Sequence, residues 1–148
     1  MTAYSPSRLA TYRDCPLRYR YRYHDRIKRD VQWVESFMGI RVHATLQKLY
    51  EDVRFGRLNG LPDSLAYYDR AWRENRTDSI VVTREGLAAD DYRALGEKMI
   101  VSYYGRYVPF DVDTTIGTEM NIRFSLDDEG KYRMSGIVDR LSRTAEDV

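Results

Sequence analysis

Ile116-Gly117-Thr118-Glu119-Met120-Asn121-Ile122-Arg123-Phe124-Ser125-Leu126, then Asp127-Asp128-Glu129-Gly130, then Gly136-Ile137-Val138-Asp139-Arg140-Leu141: the reading of this stretch decides the fold. Both flanks alternate apolar and polar residues, and the centre carries turn formers, so a β-hairpin is predicted. One register sets Met120 opposite Val138, Phe124 opposite Met134 and Leu126 opposite Tyr132. A slip of one residue sets Phe124 against Arg133 and Leu126 against Lys131, and would carry every side chain to the wrong face. The first register also suits a three-residue loop with Gly130 in the left-handed region and a bulge. It puts Glu119 directly across from Asp139. Like charges placed opposite each other destabilise a hairpin. A divalent cation with oxygen ligands would offset that repulsion.

Working outward, the remaining segments read as helices. Ser5-Pro6 is a cap followed by a first-position proline, and Pro16 ends or kinks that helix after Cys15. Leu17 to Ile27 is expected to be a second helical segment. Val42, Leu46, Leu49 and Val53 repeat at helical spacing, predicting a helix from about Glu35 to Phe55 with His43 at the margin of its buried face. Ser64 is expected to cap a short helix carrying Leu65, Tyr68 and Trp72. Residues 76–87 read as irregular apart from Ile80-Val81-Val82. A last helix is predicted from about Ala88 to Tyr107, with Tyr92, Leu95, Met99 and Tyr103 on its apolar stripe. Beyond Leu141, residues 142–148 read as a turn and the start of a further element. A hairpin alone is marginal and calls for a third strand or helix packing.

At 148 residues, with 43% hydrophobic and 32% charged, the composition is that of one soluble globular domain or a large part of one. No apolar run approaches the ~20 residues that span a bilayer, and no signal core opens the chain, so no membrane partner and a cytoplasmic location are expected. The single cysteine, Cys15, rules out an internal disulfide and a cysteine-only metal site within one chain. The net charge of +1 is unevenly spread. Positions 8–29 hold seven arginines and one lysine against Asp14 and Asp25, a local charge of +6; the remainder holds 16 basic and 21 acidic residues, a charge of −5. Such a segment suits an anionic partner such as a phosphate backbone, and equally a solvated helix face.

The residue types that carry chemistry are few. An imidazole at His43 and carboxylates at Glu119 and Asp139 could together hold a divalent cation. Alternatively, His43 is a half-buried helix residue bonded to a backbone carbonyl, and Glu119 a solvated strand acid. Asp139 sits in an apolar strand, where a carboxylate is costly unless paired or bound. Arg18, Arg20 and Arg22 alternate with Tyr19, Tyr21 and Tyr23: arginines hold phosphates and a tyrosine stacks on a base, or the tyrosines pack inward and the arginines are solvated.

Three stretches together resemble a known family. Residues 5–23, Ser5-Pro6-Ser7-Arg8-Leu9 through Cys15-Pro16 to Tyr23, are similar to the N-terminal signature of RecB-like nuclease domains in the PD-(D/E)XK superfamily. Gly39-Ile40-Arg41-Val42-His43 resembles that family's helix motif, and Gly136-Ile137-Val138-Asp139-Arg140-Leu141 its metal-binding aspartate strand. The resemblance implies an α/β (α+β) restriction-endonuclease-like core: a mostly helical portion over 1–110, then a hairpin of a mixed sheet over 111–148, in one incomplete domain. It implies His43 and Asp139 as ligands for Mg²⁺ or Mn²⁺. Glu119, where relatives often carry a strand glutamate, would join them, with Asp139 and Glu119 as the catalytic acids. It points to Arg18, Arg20, Arg22 and Tyr19 as nucleic-acid contacts. Cys15 matches the first ligand of the 4Fe–4S cluster that some members carry, complete only if further cysteines follow Val148.

The family's third motif, an acid, one residue and a lysine on the strand after the aspartate, is missing. Lys28, Lys48, Lys98 and Lys131 are the only lysines, and none follows Asp139. The expectation is therefore part of a metal-dependent DNA exonuclease of recombination or repair, or of a CRISPR-associated exonuclease. Its partners would be DNA and a helicase or recombination subunit, and these residues alone would be inactive. The alternative is a non-catalytic DNA-binding or partner-docking module that keeps the nuclease-like shell.

Overall fold

A computed structural model describes residues 3–28 and 30–144. Helices and strands are mixed, as expected for an α+β fold: α1 (Pro6–Asp14), α2 (Pro16–Tyr19), a π-helical turn (Arg20–His24), β1 (Gln32–Trp33), α3 (Val34–Arg54), α4 (Leu61–Asn75), β2 (Ile80–Val81), α5 (Ala89–Tyr107), β3 (Asp113–Ser125) and β4 (Arg133–Thr144). The chain forms two compact units, one from Met1–Arg29 and Glu119–Asp139, the other from Asp30–Thr118 and Arg140–Val148. Among the described residues no helix is long and apolar enough to cross a membrane.

In the first unit, Ser5 caps α1 by accepting the Arg8 amide at 3.2 Å, and Pro6 occupies the first turn, where its missing N–H costs nothing. The Cys15 thiol accepts the Arg18 amide at 3.4 Å and so caps α2. The Arg8 guanidinium is surrounded by the rings of Tyr4, Tyr19 and Tyr23, 5.0 to 5.4 Å from their centroids. At the hairpin tip Leu126 N donates to Tyr132 O at 2.9 Å, the pairing predicted from the apolar pattern. Gly130 has φ +71°, the left-handed turn position. The Asp127 carboxylate accepts the amides of Lys131 and Tyr132, which holds its pKa below the usual value. Beside β4, Tyr4 forms a parallel bridge to Met134, with Tyr4 N on Arg133 O at 2.8 Å and Ser135 N on Tyr4 O at 2.9 Å. The hairpin thus gains a neighbouring backbone at one point of its edge.

In the second unit α3, α4 and α5 pack pairwise. Their core is Val34, Phe37, Val42, Tyr68, Trp72, Tyr92 and Ile100, with Phe37 edge-on to Trp72 at 4.8 Å. Full burial of each large apolar side chain stabilises by roughly 1.5–3 kcal/mol. A second cluster joins Leu49, Tyr50 and Phe110. α3 ends where Gly56 takes φ +76° and donates to Val53 O.

Three expectations change, and the apolar Ile80-Val81 set apart from the irregular stretch finds its place. α4 begins a turn earlier than a Ser64 cap would allow. Gly60 is its cap, Asp63 accepts the Gly60 amide at 3.0 Å, and Ser64 is buried inside the helix. On α5 the buried residues are Tyr92, Gly96 and Ile100, while Leu95 and Met99 are nearly half exposed. The small Gly96 admits the ring of Tyr68, which turns that side inward instead of the apolar stripe. Ile80-Val81 is a strand, pairing in parallel with Gln32-Trp33. Residues 142–144 continue β4 rather than turning, and 145–148 lie outside the described residues.

Candidate metal centre

His43 lies within α3 and is exposed rather than marginal to the core. Asp139 is exposed on β4, so its strand does not bury it as the apolar flanks suggest. Glu119 is half-buried on β3, with one carboxylate oxygen shielded from solvent. β3 and β4 are hydrogen-bonded neighbours. Glu119 and Asp139 each offer a carboxylate oxygen within 4.8 Å of the other's.

Glu119 departs from a regular strand: its φ is +51°. A non-glycine residue in the left-handed region is uncommon, and such strained positions cluster at functional sites. The alternation that sequence reading relied on is interrupted at the candidate ligand itself.

Each acid has a firmly held neighbour. Thr118 Oγ1 donates to Glu51 Oε1 at 3.3 Å, and Gln47 Nε2 donates to the same oxygen at 2.8 Å. Arg140 donates through Nε to Thr115 Oγ1 at 3.0 Å, pairs with Asp113, and lies over the ring of Tyr50. Sequence reading missed all of these. The visible signal was the spacing of His43, Gln47 and Glu51, four residues apart on one helix stripe.

The donor set fits a divalent cation. Oxygen ligands sit ~2.1 Å from Mg²⁺, so two on opposite sides of an ion are roughly 4.2 Å apart. Two carboxylate oxygens within 4.8 Å of each other lie near that spacing. Carboxylates suit Mn²⁺ or Mg²⁺ better than a thiophilic metal.

A family model described as the PD-(D/E)XK nuclease superfamily matches residues 3–148. The chain belongs to the PD-(D/E)XK nuclease superfamily. No curated protein and no solved structure matches it. PD-(D/E)XK nucleases use divalent metals in general; membership indicates a nuclease-type function on DNA, and the Glu119 and Asp139 carboxylates are candidates to hold that metal.

The remaining candidates lie in the first unit. Arg18 pairs with Asp14 and Arg20 with Asp25, each at 3.2 Å, and Arg22 lies over the Tyr23 ring. Tyr19 is half-buried; its hydroxyl accepts from Arg8 Nε at 3.0 Å, and its ring packs on Tyr12 and Tyr23. Cys15 is a free thiol of intermediate burial. Glu129-Gly130-Lys131 spells acid-x-lysine, as PD-(D/E)XK nucleases do, but at the exposed hairpin tip before Asp139, with the Lys131 ammonium over the Tyr132 ring.

Proposed function

We propose that this chain supplies the metal-binding part of a RecB-like, metal-dependent deoxyribonuclease that hydrolyses DNA phosphodiester bonds in recombination or repair. The observation that carries the reading is the pair of carboxylates, Glu119 and Asp139, within 4.8 Å of each other on neighbouring strands. Membership of the nuclease superfamily supports it. A bound Mg²⁺ or Mn²⁺ would lower the pKa of the attacking water and offset charge on the scissile phosphate. His43 would offer a neutral ring nitrogen, and the two carboxylates would neutralise the cation and fix its position. The basic stretch with Arg18, Arg20 and Arg22 would contribute long-range attraction for the phosphate backbone, falling with salt. The ion pairs of Arg18 and Arg20 leave this attraction to the sum of the segment's charge more than to any one side chain.

The test is cleavage of end-labelled linear DNA by the full-length protein with Mg²⁺ or Mn²⁺. His43→Ala and Asp139→Ala are expected to lose cleavage while retaining DNA binding. Cleavage at the unsubstituted rate in both variants would remove the assignment. Metal-independent binding with no cleavage by any form would favour the docking-module alternative.

A further inference from the structure

We infer that Arg8 and Tyr12 on α1 form a contact site for single-stranded DNA, Arg8 holding a backbone phosphate and Tyr12 stacking on an unpaired base. This rests on DNA as the substrate in the proposed function above, and not on the metal centre; every residue it uses lies in the first unit. The Arg8 guanidinium sits 5.0, 5.4 and 5.1 Å from the ring centroids of Tyr4, Tyr19 and Tyr23. Its Nε donates to the Tyr19 hydroxyl at 3.0 Å. Three rings and a neutral phenol thus fix the group without cancelling its charge. Among the described residues no carboxylate pairs with Arg8, whereas Arg18 and Arg20 are paired with Asp14 and Asp25. The one bond Arg8 makes among them uses Nε, which leaves the Nη edge of its planar fork for the oxygens of a phosphate. A side chain already held in place loses less freedom when it binds.

Tyr12 lies one turn further along α1 and is 57% exposed. Its ring meets that of Tyr19 at 5.2 Å and 82°, an edge contact that leaves Tyr12 at least one face uncovered by Tyr19. Tyr19 therefore touches both groups: it accepts from Arg8 and buttresses Tyr12. Every base has a π-face, so a ring beside a fixed cation suits an unpaired strand of any sequence. A duplex would first have to unstack a base to cover that ring. The plain reading is a structural pin, with Arg8 tying Tyr4, which bridges to Met134, onto α1. That reading accounts for the contact with Tyr4. It leaves unexplained the exposed Tyr12 and a cation held without an acid in a segment of local charge +6.

The experiment measures binding of a fluorescent oligothymidylate to the 148-residue chain by anisotropy, in EDTA and over a salt series, with a duplex of the same length as comparator. Each phosphate contact on a single strand contributes about 0.7 to the slope of log affinity against log salt. Arg8→Gln is expected to weaken binding about tenfold and to flatten that slope by about 0.7. Tyr12→Leu is expected to weaken single-strand binding at least about fivefold while leaving the slope and duplex binding as they are. Tyr12→Phe keeps the ring and is expected to match the unsubstituted chain. A purely structural Arg8 would move thermal stability and not the slope. An unchanged slope in folded Arg8→Gln overturns the site, as does a Tyr12→Leu variant that loses nothing or loses equally on both forms of DNA. If Arg8→Gln fails to fold, the Tyr12→Leu comparison, made at an exposed ring, decides alone. Asp139→Ala separates the two readings: unchanged cleavage by it sinks the metal centre, while binding in EDTA still decides the Arg8 and Tyr12 site.

Discussion

The guanidinium of Arg140 lies 3.9 Å from the centroid of the Tyr50 ring, well inside the ~6 Å reach of a cation–π contact. Arg140 is the residue after Asp139, and Tyr50 is buried on α3. The same side chain bonds Thr115 and pairs with Asp113 on β3. A charged group inside β4 is thus fixed by a ring, a hydroxyl and a carboxylate together.

Replacing Arg140 with Met keeps length and removes every one of those partners. The cation–π contact contributes about 0.5–2 kcal/mol, and a part-buried acid left unpaired adds about 1 kcal/mol or more. Arg140→Met is expected to lower stability by roughly 2 kcal/mol in urea denaturation, with Arg140→Lys intermediate because an ammonium cannot reproduce the planar fork. A loss under about 0.5 kcal/mol would show that the contact carries little.

Gly96→Ala tests the packing of α5 on α4. In an ordinary helix interior this change stabilises by up to ~1 kcal/mol. Here a Cβ would overlap the Tyr68 hydroxyl and come within 2.7 Å of its Cζ. Tyr68 is fully buried and donates to Arg93 O at 3.2 Å, so it has no room to retreat. The sign is expected to reverse, with a destabilisation of about 1–3 kcal/mol by thermal unfolding. A stabilised Gly96→Ala protein would contradict this packing.

Asp52 links stability to pH. Its carboxylate accepts from the Lys48 ammonium, which lowers its pKa below 3.8 against the opposing effect of burial; the Lys48 charge and a bond from Asn59 act in the same direction as the first. A group depressed in the folded state adds stability above its unfolded pKa and loses it as pH falls through the folded value. Asp52→Asn is therefore expected to be less stable than the parent near neutral pH, with the gap narrowing below about pH 3.8. Paired urea titrations at the two pH values check it; a constant gap would assign the effect to hydrogen bonding alone.

Much of this molecule was legible in its sequence because strong periodicities were decisive. The α3 repeat of Val42, Leu46, Leu49 and Val53 and the tip pairing of Leu126 with Tyr132 both stand in the structure. The errors arose where a small residue outweighed hydrophobicity. Gly96 turned α5 so that Leu95 and Met99 face outward, and Gly60 took the cap expected of Ser64. At the candidate site, residue types and spacing were a weak signal, because the residues are far apart in the chain; the resemblance to the nuclease motifs is what pointed to His43 and Asp139, and more weakly to Glu119. The left-handed backbone of Glu119 and the anchors at Thr118 and Arg140 were not readable, because both depend on contacts between distant segments.

The most direct test is calorimetric titration of Mn²⁺ into the 148-residue chain and its His43→Ala, Glu119→Ala and Asp139→Ala variants. The proposed function predicts one ion per chain, with binding weakened at least about tenfold by each substitution and abolished when two are combined. Variants that bind Mn²⁺ as tightly as the unsubstituted chain would contradict a metal centre built from these three side chains.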